Sequence, residues 1–356
     1  MQACTAATDF VAPPEWVQHS RTWMSWIPDG YVRADAEHTV PAWGAVARSI
    51  AGCEPVDVLC PPDLLDEARL ACGPAVRLHP CPLDDAWFRD SGPTFVVDGQ
   101  GRLGARHWAF NGWGGRLADV ARDVAAGRLA GQLASAVPLP SPLVNEGGAI
   151  AVDGQGTVVV TETVLLNANR NPGWDRAAVE AELRRTIGAT TVVWLARGLH
   201  GDDGPVGTDG HVDTMVAFVA PGVVVVHHQP DPTHPDHEVM AENTMRLAAA
   251  RDSRGRRFEV VPLTAPPPGR PGHADHESYV NFAWANGAVV LCGFGHAAAD
   301  EAVRTTLARL LPRRRILQVD ATAIFRHGGG IHCITQPEPG RGVRWREATM
   351  DPGAHR

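Results

Sequence analysis

The sequence predicts an α/β fold of about five hairpin–helix–strand units, closed into a ring by its own terminal segments. Three observations carry this. Runs of β-branched and aromatic residues recur in pairs around short Gly-containing turns, which marks hairpins. Each hairpin is followed by a stretch with apolar residues at helical spacing, and most of these by a further apolar run of strand length. A short motif rich in Gly, Asp, Glu or His precedes successive hairpins. A ring closed on itself leaves no free sheet edge, so residues 1–356 are expected to form one domain rather than two.

In chain order, helices are expected at 43–50 and 63–71 and strands at 56–60 and 76–79. The first clear hairpin pairs 93–98 with 102–108 around Gly99-Gln100-Gly101, and a helix follows over 119–133. The next pairs 149–152 with 157–161 across Asp153-Gly154-Gln155-Gly156, ahead of a helix at 175–187 and a strand at 191–195. A third pairs 214–219 with 223–228 around Ala220-Pro221-Gly222, ahead of a helix at 238–250 and a strand at 258–263. A fourth pairs 279–284 with 288–292 around Asn286-Gly287, ahead of a helix at 299–310 and a strand at 315–319. Pairing of 22–27 with 331–336 completes the remaining unit and closes the ring. The tail, from about 340, is rich in Gly, Pro and charge and is expected to be poorly ordered.

The hydrophobic share of 44% and the charged share of 20% are those of a globular protein. A formal net charge of −8 offers no basic field for phosphates, which argues against a nucleic-acid partner and suits a cationic small molecule. No apolar run approaches the length of a membrane span, and the N-terminal stretch lacks the basic and apolar regions of a signal peptide. A cytoplasmic protein with no membrane partner is expected. The seven cysteines, Cys4, Cys53, Cys60, Cys72, Cys81, Cys292 and Cys333, are odd in number, scattered and without a CxxC pair. That favours reduced thiols over a disulfide framework or a zinc site. His227, His228, His234 and His237, with Asp231 and Asp236, lie among Pro230, Pro232 and Pro235 and read as an exposed loop, not a metal site. The run Arg313-Arg314-Arg315 reads as a solvated helix end. Neither metal nor cofactor is expected, and a homo-oligomer is compatible with the ring.

The chemistry-bearing residues fall at equivalent places in the repeat. Asp90 lies in Trp87-Phe88-Arg89-Asp90-Ser91-Gly92-Pro93, and Glu146 in Asn145-Glu146-Gly147-Gly148. His211 and Asp213 lie in Asp209-Gly210-His211-Val212-Asp213, and Cys333 in Gly328-Gly329-Gly330-Ile331-His332-Cys333. Ring closure gathers them at one end of the axis. A cysteine with a histidine and carboxylates, without metal-ligand spacing, points to covalent nucleophilic catalysis. The thiolate is the reactive form. The extra carboxylates suit a planar cation gripped in fork geometry, so a guanidinium between Asp90 and Asp213 matches. Cys333 would attack its central carbon, His211 would serve as acid and then base, and Glu146 would orient His211 and favour its charged form.

Segments in register along most of the chain carry a resemblance to a known family. They are APPEWVQHSRTWMSWIP, DDAWFRDSGPTFVV, FNGWGG, NEGGAIAVDGQGTVVVTETVLLNANRNP, TDGHVDTMVAFVAPG, SYVNFAWANGAVVL and GGGIHCITQ. The chain closely resembles the agmatine deiminase family, which includes bacterial peptidyl-arginine deiminases. The resemblance implies a five-bladed, pseudo-symmetric α/β propeller of ββαβ units, the pentein fold. It implies a cofactor-free hydrolase that turns agmatine and water into N-carbamoylputrescine and ammonia, a step of putrescine and polyamine metabolism. By motif, Cys333 is the nucleophile, His211 the acid/base, Asp90 and Asp213 the guanidinium ligands and Glu146 the partner of His211, with Trp87 and Gly330 at the substrate site.

Asn145 stands where the family usually has Leu, Gly330 where Asn is common, residues 201–207 look inserted and 266–273 look shortened. These departures lie near substrate-selecting loops, so other substrates are alternatives: arginine, peptidyl-arginine or another guanidino metabolite. A substrate carboxylate calls for a paired Arg, and Arg106, Arg116, Arg170 and Arg326 are the candidates. Amidino transfer to an amine and non-catalytic guanidinium binding are the remaining alternatives.

Overall fold

The computed structural model describes residues 10–269 and 271–341. Five separate sheets follow one another along the chain, the blades of a five-bladed α/β propeller. In the second blade Thr94–Val97 runs antiparallel to Leu103–His107, which runs parallel to Val137–Pro140. The third repeats this with Ala151–Val152, Thr157–Thr161 and Thr191–Leu195. The fourth uses Val216–Ala220, Val223–His228 and Glu259–Thr264, and the fifth Ala283–Ala285, Ala288–Gly293 and Arg315–Asp320. Helices Ala121–Leu133, Arg176–Ile187, Pro235–Ala249 and Ala297–Leu310 join the hairpins to the third strands. The central strands Thr157–Thr161 and Ala288–Gly293 are buried throughout, as strands covered on both faces must be.

The first blade is the ring closure. Thr335–Pro339 pairs antiparallel with His19–Ser25, which runs parallel to Val56–Cys60 and then Val76–Pro80. The pairing of the two ends is as expected, but its register corrects the sequence reading: Trp23 faces Gln336 and Met24 faces Thr335. Residues 331–334 form a turn, not a strand, with the Thr335 amide donating to His332 O at 3.1 Å. Ile331 and Ile334 are fully buried in that turn, which is why the run reads as a strand.

Other corrections have local causes. Val137–Pro140 carries two prolines, which hide it in the sequence; as an edge strand it does not need both N–H groups. The helix expected from 238 begins at Pro235, a favoured first helical residue, with His234 as its cap. The His-rich segment is therefore an exposed loop only in part: Pro230, Pro232 and Thr233 are exposed, but His227 and His228 end a strand, and His227 is buried against the Ser278 hydroxyl at 3.1 Å. Among the described residues these side chains do not gather into a group of three that could hold a metal ion. Arg314 is not a solvated helix end either. Its guanidinium lies 4.8 Å from the Trp284 ring centre and donates to Ala285 O. Among the described residues no helix is long and apolar enough to cross a membrane. Cys4 and the tail beyond Arg341 lie outside the described residues.

Candidate active site

Each blade contributes the residues just ahead of its first strand. Asp90 sits on the short helix Phe88–Ser91, before Thr94–Val97. Glu146 precedes the turn Gly147–Ala149, and His211 and Asp213 flank the start of the turn Val212–Thr214. Asn281 precedes Ala283–Ala285, and Cys333 precedes Thr335–Pro339. Closeness is set by glycine at Gly148. A Cβ there would stand 2.6 Å from His211 Nδ1 and 2.9 Å from both Asp213 Oδ2 and Asp90 Oδ1, closer than any side chain can pack. The bare backbone instead brings its N–H within 2.9 Å of Asp90 Oδ1.

Cys333, His211, Asp90, Asp213 and Glu146 are thus together and all buried. The thiol lies 3.4 Å from Asp213 Oδ2, and Asn281 Nδ2 donates to it at 3.2 Å. His211 Nδ1 is 3.7 Å from Asp90 Oδ2, and its Nε2 is 3.5 Å from Glu146 Oε2. Asp90 Oδ2 also accepts from the Trp113 indole at 2.9 Å. Trp113 holds φ 55°, a conformation that a bulky residue adopts only when its surroundings enforce it. Asp213 Oδ2 accepts from His332 Nδ1 at 2.8 Å, while its buried Oδ1 has no partner among the described residues.

Electrostatics divide these groups. Burial pushes the Cys333 thiol well above its ordinary value, and Asp213 and Asp90 add to the rise against the Gly330 N–H and the Asn281 amide. Burial opposes a charge on His211, yet Asp90, Glu146 and Asp213 outweigh it and raise the imidazole to about 9. Burial and the neighbouring carboxylates Asp213 and Glu146 raise Asp90 despite His211. Asp213 is lowered: burial works against this, but His332, His211 and Arg89 prevail.

Arg170 anchors Glu146. Its Nε donates to Glu146 Oε1 at 2.9 Å, its Nη1 to Asp209 Oδ2 at 2.6 Å and its Nη2 to Thr208 O at 2.8 Å, all from a fully buried side chain. Arg170→Met is expected to strand the buried Glu146, with Asp209 still held by Arg116, and to cost about 3–5 kcal/mol in stability, read from urea unfolding. An unchanged midpoint would refute this account of the network.

The thiol opens into a cavity of about 250 Å³ walled by Trp87, Trp113, Tyr31, Leu117, Pro205 and Val206, with Asp90 and Cys333 in its lining. The Trp87 indole donates to Tyr31 OH at 2.7 Å. The segment 201–207 supplies Pro205, Val206 and Gly207 to the lining. Gly330 does not line this cavity, whereas Gly328 and Gly329 do. Its missing side chain makes room for Asn281 Oδ1 and Phe325, each 2.5 Å from where a Cβ would sit. Of the four arginines weighed as carboxylate partners, Arg116 alone reaches this cavity, and it is paired with Asp209 Oδ1 at 2.6 Å and Oδ2 at 2.9 Å. Arg106 is buried against Thr186 O and Leu139 O, and Arg326 sits 3.6 Å from Asp35.

Sequence reasoning missed Asn281, His332 and Glu15, and offered Arg170 only as a substrate contact. Asn281 alone had a usable signal, since it occupies in the fifth unit the place that the titratable residues hold in the others.

Comparison with known proteins identifies the family. The model of the Porphyromonas-type peptidyl-arginine deiminase family matches residues 11–339. A Streptomyces avermitilis protein provisionally named agmatine deiminase is 50% identical over 341 residues, covering 94% of this chain and 98% of its own. The agmatine deiminase of Stutzerimonas stutzeri is 36% identical over 362 residues, covering 94% and 97%. The solved agmatine deiminase of Enterococcus faecalis superposes with a TM-score of 0.88 at 28% identity, over 96% of this chain and 100% of the other. The chain belongs to the family of agmatine deiminases and Porphyromonas-type peptidyl-arginine deiminases.

Proposed function

We propose that the protein hydrolyses agmatine to N-carbamoylputrescine and ammonia, with Cys333 as nucleophile and His211 as acid and base. The observation that carries this is a cavity with Asp90 and Cys333 in its lining where, among the described residues, the only lining arginine, Arg116, is already paired. The guanidinium lies between Asp90 and Asp213, donating to the free Asp213 Oδ1. Its tetramethylene chain rests on Trp87, Trp113 and Leu117.

In the free protein the thiol is neutral and His211 is an imidazolium. Entry of the guanidinium offsets the two carboxylates that oppose a thiolate, so substrate binding itself favours ionisation of Cys333, whose proton passes to solvent and is regained when product leaves. The thiolate attacks the central carbon and forms a C–S bond. His211 gives its proton to one amino nitrogen, the C–N bond breaks and ammonia leaves, with a thiouronium on Cys333. Neutral His211 then takes a proton from water as its oxygen adds to that carbon. The C–S bond breaks, the thiolate returns, and loss of the hydroxyl proton gives the neutral ureido product and, with ammonia, ammonium. Glu146, held by Arg170, keeps His211 oriented and charged between turnovers. The described cysteines are all free, which supports a reducing, cytoplasmic location.

Arginine would carry its carboxylate into a cavity with no unpaired cation among the described residues of its lining, a burial costing several kcal/mol. A panel of agmatine, arginine and arginyl peptide, scored for ureido product, is therefore expected to favour agmatine at least about a hundredfold in kcat/KM. Turnover of arginine with none of agmatine would overturn the substrate assignment.

A further inference from the structure

We propose that His332 is a positioning residue for this reaction, holding Asp213 by one carboxylate oxygen so that the other is presented to the guanidinium. The proposal rests on the reading of Asp213 as a guanidinium ligand. His332 Nδ1 lies 2.8 Å from Asp213 Oδ2, the same oxygen that faces the thiol at 3.4 Å. Asp213 Oδ1 is buried and has no partner among the described residues. A carboxylate held at one oxygen cannot rotate to trade its two oxygens, so the free acceptor keeps one direction.

His332 is itself held from behind. Its Nε2 meets the two Glu15 oxygens at 3.1 and 3.2 Å. Arg89 Nη1 donates to Glu15 at 2.6 Å, and the same arginine grips the backbone on either side: Nε to His332 O at 3.2 Å and its amide to Cys333 O at 3.0 Å. Glu15, His332 and Asp213 line a second cavity of about 30 Å³ that shares no lining residue with the one opening on Cys333. Asp213 thus touches the thiol through Oδ2 while lining, with His332 and Glu15, the second cavity and not the one that opens on Cys333. Burial and Arg89 oppose a charge on His332, but Glu15 and Asp213 prevail and raise its pKa, so the bond to Asp213 is charge-assisted and among the stronger kind.

Two amides separate this role from simple space filling. The Asn side-chain nitrogen stands where imidazole Nδ1 stands, and the Gln nitrogen where Nε2 stands. In a Cys333→Ala background, which binds without turnover, calorimetry with agmatine is expected to show His332→Gln weakened about 10- to 100-fold, the scale of a lost bond to a charged group. His332→Asn is expected within about threefold of its parent, because it keeps the bond to Asp213. Gln is nearer His in volume, so a packing role gives the opposite order. With Cys333 intact, kcat/KM should follow the same ranking. If His332→Gln does not fold, Glu15→Ala carries the test, with an expected weakening of about three- to tenfold. Asn as weak as Gln, or unchanged binding in His332→Gln or Glu15→Ala, overturns the proposal. A Cys333→Ala parent that binds no agmatine removes the guanidinium reading, and this inference with it.

Discussion

Replacing Cys333 with Ala is expected to abolish ammonia release from agmatine while leaving agmatine binding within a few-fold of the parent. A nucleophile that forms a covalent bond to substrate carries a loss of at least about ten-thousand-fold in kcat when removed, with only binding and electrostatic terms left. Binding should persist because the charges that attract the guanidinium, Asp90 and Asp213, are untouched, and the thiol removed is neutral in the free protein. Acid quenching of the parent during turnover, followed by mass spectrometry, should show an adduct on the peptide containing Cys333, and the variant should show none. Normal turnover by Cys333→Ala would end the mechanism.

His211→Asn is the second large effect, a fall in kcat of about a hundred- to ten-thousand-fold, the range of positioned acid–base catalysis. The parent's pH profile offers an independent check. With its pKa raised to about 9, His211 is charged below that value and loses its proton as pH rises through it. The step that expels ammonia needs the charged form. The alkaline limb of kcat/KM, which reports the free enzyme, should therefore fall near pH 9. Glu146→Gln withdraws one of the three carboxylates that hold the proton there, so the limb should move to lower pH. A limb that stays in place in that variant would detach Glu146 from His211.

Much of this site is legible in the sequence because it is periodic. Asp90, Glu146, His211 with Asp213, and Cys333 each precede the first strand of a unit, so recognising the unit suffices to bring them together. Residues whose importance depends on distant partners escape that logic. Nothing local marks Glu15, which meets His332 across 317 positions, or Arg170, whose value lies in Glu146 and Asp209. Asn281 has the right place but no titratable group, and it falls inside the run 279–284 that reads as a strand, although the strand itself begins at Ala283. In the fold, the same division holds. Hairpins with Gly turns were clear, while the strand Val137–Pro140 was masked by its prolines and the closing register by Ile331 and Ile334, buried in a turn.

The seam between the chain's two ends does more than hide sheet edges. Trp23 meets Gln336 there, and Cys333 sits two places ahead of the pairing strand. Contacts this far apart in sequence are slow to form and have no local substitute. Until this seam shuts, the thiol lies on an undocked segment, away from Asp213 and Asn281. The ring thereby acts as its own quality check: the reactive sulfur meets its carboxylates only in a molecule that has finished folding, and an opened one is silent.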